Sequence, residues 1–455
     1  MSALASAARS RRRLIPYLHR LLHSGPAAAA SPSPSTSRFL RHSSPVPRTP
    51  DHSPYLRFPD VRVSTLPSGL RVVTQAFPAA TRMASVGVWV DAGSRFELPG
   101  TNGTAHFLEH MAFKGTGRRP NAQALEVEIE DMGARLNAYT SREQTTFFAD
   151  VQARHVPVAL DVLSDILQHP RFPEKAIQRE RGVILREMEE VVSAAGSVSH
   201  DEVVDRVKDL FTEFSTDPTT ADQLVEAIPA IFTGSEVRVE NEEMPLAHVA
   251  IAFKGSSWTD PKSIPLMVIQ SILGSWNRSV GVGNCSGSSL ARGISNGNLA
   301  ESLMAFNTNY RDIGIFGVYA IAPPDTLHDL SRLIMAELRR LAFHVSEEEV
   351  ARARNQLKSS LLLHVDGSTA VSENNGRQML TYGRVMPFLE LFARIDAVDC
   401  ATIMETAKEH IIDKDIALAA VGPISNLPEL SWFRSETCSD DEFTRRIFFG
   451  NAQNN

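Results

Sequence analysis

The run His106-Phe107-Leu108-Glu109-His110 decides how the rest of this 455-residue chain is read. Successive helical residues turn by about 100°, so two imidazoles at i and i+4 share one face, with Glu109 beside them. Neutral imidazole nitrogens ligate zinc well, and a neighbouring carboxylate that stays off the metal can take the proton of an attacking water. Five residues alone fit equally well a pair of histidines on a buried helix face, so the surroundings carry weight. Thr101, Asn102 and Thr104 offer capping side chains ahead of the motif, and Lys114 and Gly115 supply a last turn and a stop. Ala105, Leu108, Met111 and Ala112 give the helix an apolar face. The spacing predicts a rigid helix that presents His106 and His110 as metal ligands and Glu109 as a general base.

Two histidines and a water leave one ligand to find on a second helix. Glu180 and Glu187 stand seven residues apart, two helical turns, and so face the same way about 10 Å from each other. One can ligate while the other supports the site from behind. A solvated charge stripe has the same spacing.

A longer pattern runs through the chain. It includes GTAHFLEHMAFKGTG at 103–117, LNAYTSREQT at 136–145, the stretch 180–189, the stretch 263–277, MAFNTNY at 304–310, ARNQLKSS at 353–360, LTYGR at 380–384 and WFR at 432–434. Over most of residues 58–434 it resembles the pitrilysin (insulinase) metallopeptidases, whose inverted His-x-x-Glu-His order marks the inverzincins, and within them the branch that processes mitochondrial precursors. The resemblance implies an α+β fold of two homologous α/β-roll halves, the N-terminal one carrying the zinc site. It implies one Zn2+ held by His106, His110 and Glu187, with Glu180 behind them and Glu109 as the catalytic base. Phe113 would contact the residue just after the scissile bond, and Asn137, Ala138 and Tyr139 would form an edge strand that pairs with an extended substrate. It further implies a heterodimer with an α subunit that cuts mitochondrial precursor presequences. A core structural subunit of the cytochrome bc1 complex is the alternative, but a pure scaffold has no need of a full ligand set.

Composition agrees. A hydrophobic content of 43% suits two or more globular domains, and no apolar run reaches the eighteen or so residues that a membrane span needs. Cys285, Cys400 and Cys438 are odd in number and far apart, against a disulfide framework and for a reducing compartment. Lysines and arginines are scattered, which argues against nucleic acid. Gly281, Gly283 and Gly287 precede no Gly-Lys-Ser/Thr, so they read as a surface loop and not a phosphate cradle. Residues 1–50 hold Arg9, Arg11, Arg12, Arg13, Arg20, Arg38, Arg41 and Arg48 with no acidic residue, and Leu14, Leu18, Leu21 and Leu22 line one face of a basic helix. That is the pattern of a mitochondrial transit peptide, with a disordered basic tail or chloroplast import as the alternatives, and it predicts a location in the matrix or on the matrix side of the inner membrane. Without those arginines the charge of -7 falls to about -15, a field that attracts basic peptides.

The chain also repeats itself. Strand patterns at 71–74 and 84–90, followed by the histidine helix, recur at 236–239 and 247–253 before a helix from Pro265 to Trp276, which carries Val268, Ile269 and Ile272 where the first carries ligands. The domains read as 58–215, a linker at 216–236, and an inactive homologous domain at 237–455. One junction breaks the pattern. The helix of Glu187 runs through Glu189 and Glu190 into a strand pattern at 191–196 with no turn between them, so the first domain reads as internally shortened near 191–192. Relatives carry roughly fifty to sixty more residues there, including acidic residues that receive a substrate arginine, and a shortened, inactive isoform is therefore a further alternative.

Overall fold

The structure is a computed structural model that describes residues 59–77, 82–98, 100–172, 190–212, 221–280, 287–365 and 367–439. The presequence pattern, Glu180, Glu187, Gly281 and Gly283 lie outside the described residues. Among the described residues, alternating and doubly apolar runs form twelve strands: β1 (Val61–Thr65), β2 (Arg71–Ala76), β3 (Met83–Val90), β4 (Arg135–Thr140), β5 (Thr145–Gln152), β6 (Glu190–Gly196), β7 (Glu236–Glu240), β8 (Ala247–Gly255), β9 (Ser275–Asn277), β10 (Ser302–Asn309), β11 (Gly314–Ala322) and β12 (Ala417–Gly422). They make two six-stranded sheets, ordered β1-β2-β6-β3-β5-β4 and β7-β12-β8-β11-β10-β9.

The two sheets share one wiring. In each, a parallel pair (β2 with β6, β7 with β12) is followed by antiparallel neighbours (β6-β3-β5-β4, β12-β8-β11-β10). The repeat expected from 71–74, 84–90, 236–239 and 247–253 is therefore present as matched strands, and the fold is α+β with two homologous halves. Inward side chains meet amphipathic helices. In the first half the helix Val156–Gln168, with Pro157 in its first turn, buries Ala159, Leu160, Leu163 and Ile166 against β3 and β5. In the second, the helices Ser263–Leu273, Leu327–Phe343, Glu347–His364 and Cys400–His410 enclose the larger core.

The second of the matched helices departs from expectation at its end. It spans Ser263–Leu273 and stops at Gly274, whose φ of 70° suits only glycine without strain, so that residues 275–277 turn into β9. Val268, Ile269 and Ile272 are buried, as their apolar character requires. The strand expected after Glu190 is β6, followed by the helix His200–Leu210 with Ser199 at its N-cap.

Two devices join the halves. The helix Ser368–Tyr382, from the second half, lies across β3 and β6 of the first sheet on the side away from that sheet's own helices. Gly376 makes the crossing possible: a Cβ there would stand 2.2 Å from Trp89 Cδ2. The other device is ionic. Arg95 donates to Glu143 at 2.8 Å and to both oxygens of Asp312 at 2.6 Å, while Arg311 pairs with Asp91 and Asp222. Burial pushes the Glu143 carboxyl up despite the Arg311 backbone N–H and Arg95 beside it. Asp312 is held below the usual carboxylate range: its burial is outweighed by Arg95 and by the backbone N–H of Ala230. Asp222 belongs to the helix Ala221–Ala227, inside the stretch read as a linker, so that stretch is partly built and anchored.

Candidate active site

The histidine motif lies on the helix Thr104–Ala112, whose inner face buries Met111 and Ala112 while His106 and His110 stand exposed and Glu109 half-buried. The two Nε2 atoms approach to 3.2 Å, with ring centroids 4.6 Å apart. Two nitrogens each about 2.0–2.1 Å from one tetrahedral zinc stand roughly 3.3 Å apart, so this convergence fits a shared metal. Among the described residues no group of three His, Cys, Asp or Glu side chains comes together as a metal set. The residues expected to complete it, Glu187 with Glu180 behind, lie outside the described residues.

The cap of this helix is not the one its local sequence suggests. The N-cap is Gly103, with φ of 91° and no side-chain cap, and Thr101 and Thr104 bond within their own turn. The exposed backbone donors are met instead by Glu97, which accepts from Gly103 N at 2.7 Å and from Ala105 N at 2.8 Å. A carboxylate at this end also opposes the positive pole of the helix. Glu97 sits one residue beyond the short turn Ser94–Phe96, and Arg95 of that turn is clamped by Glu143 and Asp312. The site helix is thus tied to the junction of the halves. Sequence reading missed both groups: Glu97 stands outside the usual capping positions, six and eight residues before its donors, and the partners of Arg95 lie 48 and 217 residues along the chain.

The other end is fixed as firmly. The helix stops at Ala112, Gly115 adopts a φ of 136°, and Thr116 donates to the buried Asp165. Arg119 bonds Asp165 at 2.9 Å, Glu128 at 2.6 Å and Asp161 at 2.9 Å. Burial works against the Asp165 charge, but Thr116, Arg119 and Arg118 together hold that carboxyl below its ordinary range.

Phe113 caps the C-terminal end of the motif helix, half-buried, with its ring 6.0 Å from that of Phe147. Asn137, Ala138 and Tyr139 lie on β4, which ends the first sheet's strand order and packs beside the motif helix. Asn137 is exposed; Tyr139 is half-buried, and burial pushes its hydroxyl up. Among the described residues β4 is paired on one side only, so a strand edge lies beside the motif helix, the arrangement that would hold an extended peptide by its backbone.

The family model for insulinase (peptidase family M16) matches residues 71–214, and the model for the M16 inactive domain matches residues 190–357. The chain belongs to the M16 peptidase family. This M16 chain is 52% identical to the probable mitochondrial-processing peptidase subunit beta of Arabidopsis thaliana, over 88% of this chain and 85% of that one. It is 42% identical to the mitochondrial-processing peptidase subunit beta of Homo sapiens, over 84% and 88%. In fold it resembles a chain in the structure of Complex III2 from Candida albicans with Inz-5 bound, with a TM-score of 0.71 at 23% identity, over 83% of this chain and 100% of that one. The first M16 model thus takes in the histidine helix, and the second takes in the helix Ser263–Leu273, which buries Val268, Ile269 and Ile272.

Proposed function

We propose that this chain is the zinc-binding β-type subunit of a mitochondrial processing peptidase, which removes N-terminal presequences from imported precursors together with an α subunit. The observation that carries the reading is the convergence of His106 and His110 at 3.2 Å on a helix fixed at both ends. His106, His110 and Glu187 would hold one Zn2+, supported by Glu180. Bound there, the metal supplies Lewis acidity: it polarises the scissile carbonyl and makes a water easier to deprotonate. Glu109, on the same face and off the ligand set, accepts that water's proton and returns it to the leaving amine. The edge of β4 at Asn137, Ala138 and Tyr139 aligns the presequence as an added strand, and Phe113 takes the side chain after the cut. Relatives carry mitochondrial names, and the arginine-rich first fifty residues agree with import into the matrix.

A core subunit of a respiratory complex is the second reading, favoured only by the fold likeness to Complex III2. Converging imidazoles serve no purpose in a scaffold. The chain also reads as a shortened form. Its match to the Arabidopsis thaliana relative runs over 455 positions yet takes in 88% of these 455 residues, so part of that relative has no counterpart here. The deciding experiment is metal analysis and presequence cleavage with the α subunit present. Glu109→Gln should keep zinc and lose turnover, whereas His106→Ala should lose both; full turnover in the Glu109→Gln protein overturns the assignment.

A further inference from the structure

Two hairpin tips that occupy equivalent places in the repeat meet at the junction of the halves. β4 and β5 are joined by Ser141-Arg142-Glu143-Gln144, with Ser141 N donating to the Gln144 carbonyl at 2.7 Å; β10 and β11 are joined by Tyr310-Arg311-Asp312-Ile313, with Tyr310 N donating to the Ile313 carbonyl at 2.7 Å. Each tip carries an arginine followed by an acid, and both acids converge on one guanidinium. Arg95 bonds Glu143 through one nitrogen at 2.8 Å and both oxygens of Asp312 through two nitrogens at 2.6 Å. Glu143 also accepts from the Arg311 backbone N–H at 2.9 Å, which joins the tips a second time. The side chains of Arg95, Glu143 and Asp312 are only 15%, 9% and 10% exposed. A forked pair held away from water fixes direction as well as distance, which a solvated surface pair does not.

We propose that Asp312, from the half without the histidine motif, is a positioning residue for peptide cleavage, which holds the helix of His106 and His110 in register with the β4 edge by way of Arg95. The inference rests on the processing-peptidase reading. The turn that carries Arg95 lies between the two parts of the site. On one side the backbone N–H groups of Ser94 and Arg95 donate to the carbonyls of Ser141 at 3.3 Å and Arg142 at 2.8 Å, in the tip that follows β4. On the other side, two residues on, Glu97 caps the motif helix at Gly103 N and Ala105 N. Asp312 is in turn held by the Ala230 backbone N–H at 2.8 Å. Without its charge, Arg95 keeps a single bond to one Glu143 oxygen, about which it can pivot. Glu97 still caps the helix, so the histidines keep their metal, but the distance from that metal to a peptide lying on β4 is no longer fixed. A shift of about 1 Å there costs on the order of a hundredfold in rate.

The test uses the full chain with its α subunit and a presequence peptide, with rates taken per bound zinc and well below the melting temperature. Asp312→Asn should keep its zinc and a KM within about twofold and lose about tenfold or more in kcat, the split expected when binding survives and alignment does not. Arg95→Lys, which keeps the charge but lacks the planar fork that reaches both acids, should lose as much. The double variant should fall no lower than the worse single one, because Asp312 acts through Arg95. Should Asp312→Asn not fold, Arg95→Lys decides alone. Unchanged kcat per zinc, a loss carried by KM, or losses that add in the double variant overturn the proposal. Hydrogen exchange separates it from the reading on which it rests. A wild-type complex that leaves presequences intact defeats that reading, and the positioning role is then decided by the amides of Ser94 and Arg95: faster exchange in Asp312→Asn supports it, and exchange at the wild-type rate overturns it.

Discussion

At the residue scale, the position of the two imidazoles depends on a carboxylate that touches neither. Glu97 accepts from Gly103 N and Ala105 N at the start of the motif helix, and the loop between them turns through glycines with positive φ at 100 and 103. Losing such a cap costs about 0.5–2 kcal/mol, and the first turn to fray would be the one that carries His106. Glu97→Ala should therefore lower thermal stability by a few degrees and release zinc to a chelator faster than wild type, while Glu97→Gln, which keeps one acceptor oxygen, should fall between. Melting curves together with chelator competition check this, and wild-type zinc retention in Glu97→Ala would show that the cap does not position the ligands. Nothing local in the sequence signals Glu97. Thr101, Asn102 and Thr104 have the right chemistry at the right distance for a cap, yet the chain reverses direction before them and brings in a carboxylate from further back.

At the element scale, strands were legible and the crossing helix was not. β2, β3, β7 and β8 announce themselves by β-branched and alternating residues, and the histidine helix by an apolar stripe on one side. The helix Ser368–Tyr382 is rich in Ser, Thr, Asn and Gly, which reads as a solvated face, whereas its Ser372, Asn375 and Gly376 are buried against the other half's sheet. Its partners, Ser193, Gln75 and Trp89, are remote in sequence, and no local period reports a contact of that kind. Gly376 carries the sharpest consequence. Adding a methyl 2.2 Å from Trp89 forces the helix off the sheet or the indole out of its place, and overpacking of this kind costs typically about 1–3 kcal/mol. Gly376→Ala should destabilise the chain by that amount, although alanine favours helices, and the loss should appear in the first half as lower hydrogen-exchange protection of β3 and β6. A neutral or stabilising effect would mean that the two halves are not packed through this helix.

At the scale of the whole molecule, the halves match in sheet and differ in excursion. The first half passes from the end of β5 at Gln152 to the start of β6 at Glu190, while the second passes from the end of β11 at Ala322 to the start of β12 at Ala417, through five helices. One of those five covers the first sheet; the short excursion of the first half offers no described helix to cover the second in return. The same short excursion holds Glu187, the proposed third zinc ligand, three residues ahead of β6 in the sequence, so that residue is expected to be less well placed than in a full-length relative. A misplacement of about 1 Å at a catalytic group already costs on the order of a hundredfold in rate. Inserting the corresponding segment of the Arabidopsis thaliana relative between Glu189 and Glu190 should therefore raise presequence cleavage by about that factor and tighten zinc retention. Unchanged turnover and unchanged zinc retention would show that the short excursion is a complete form of this fold.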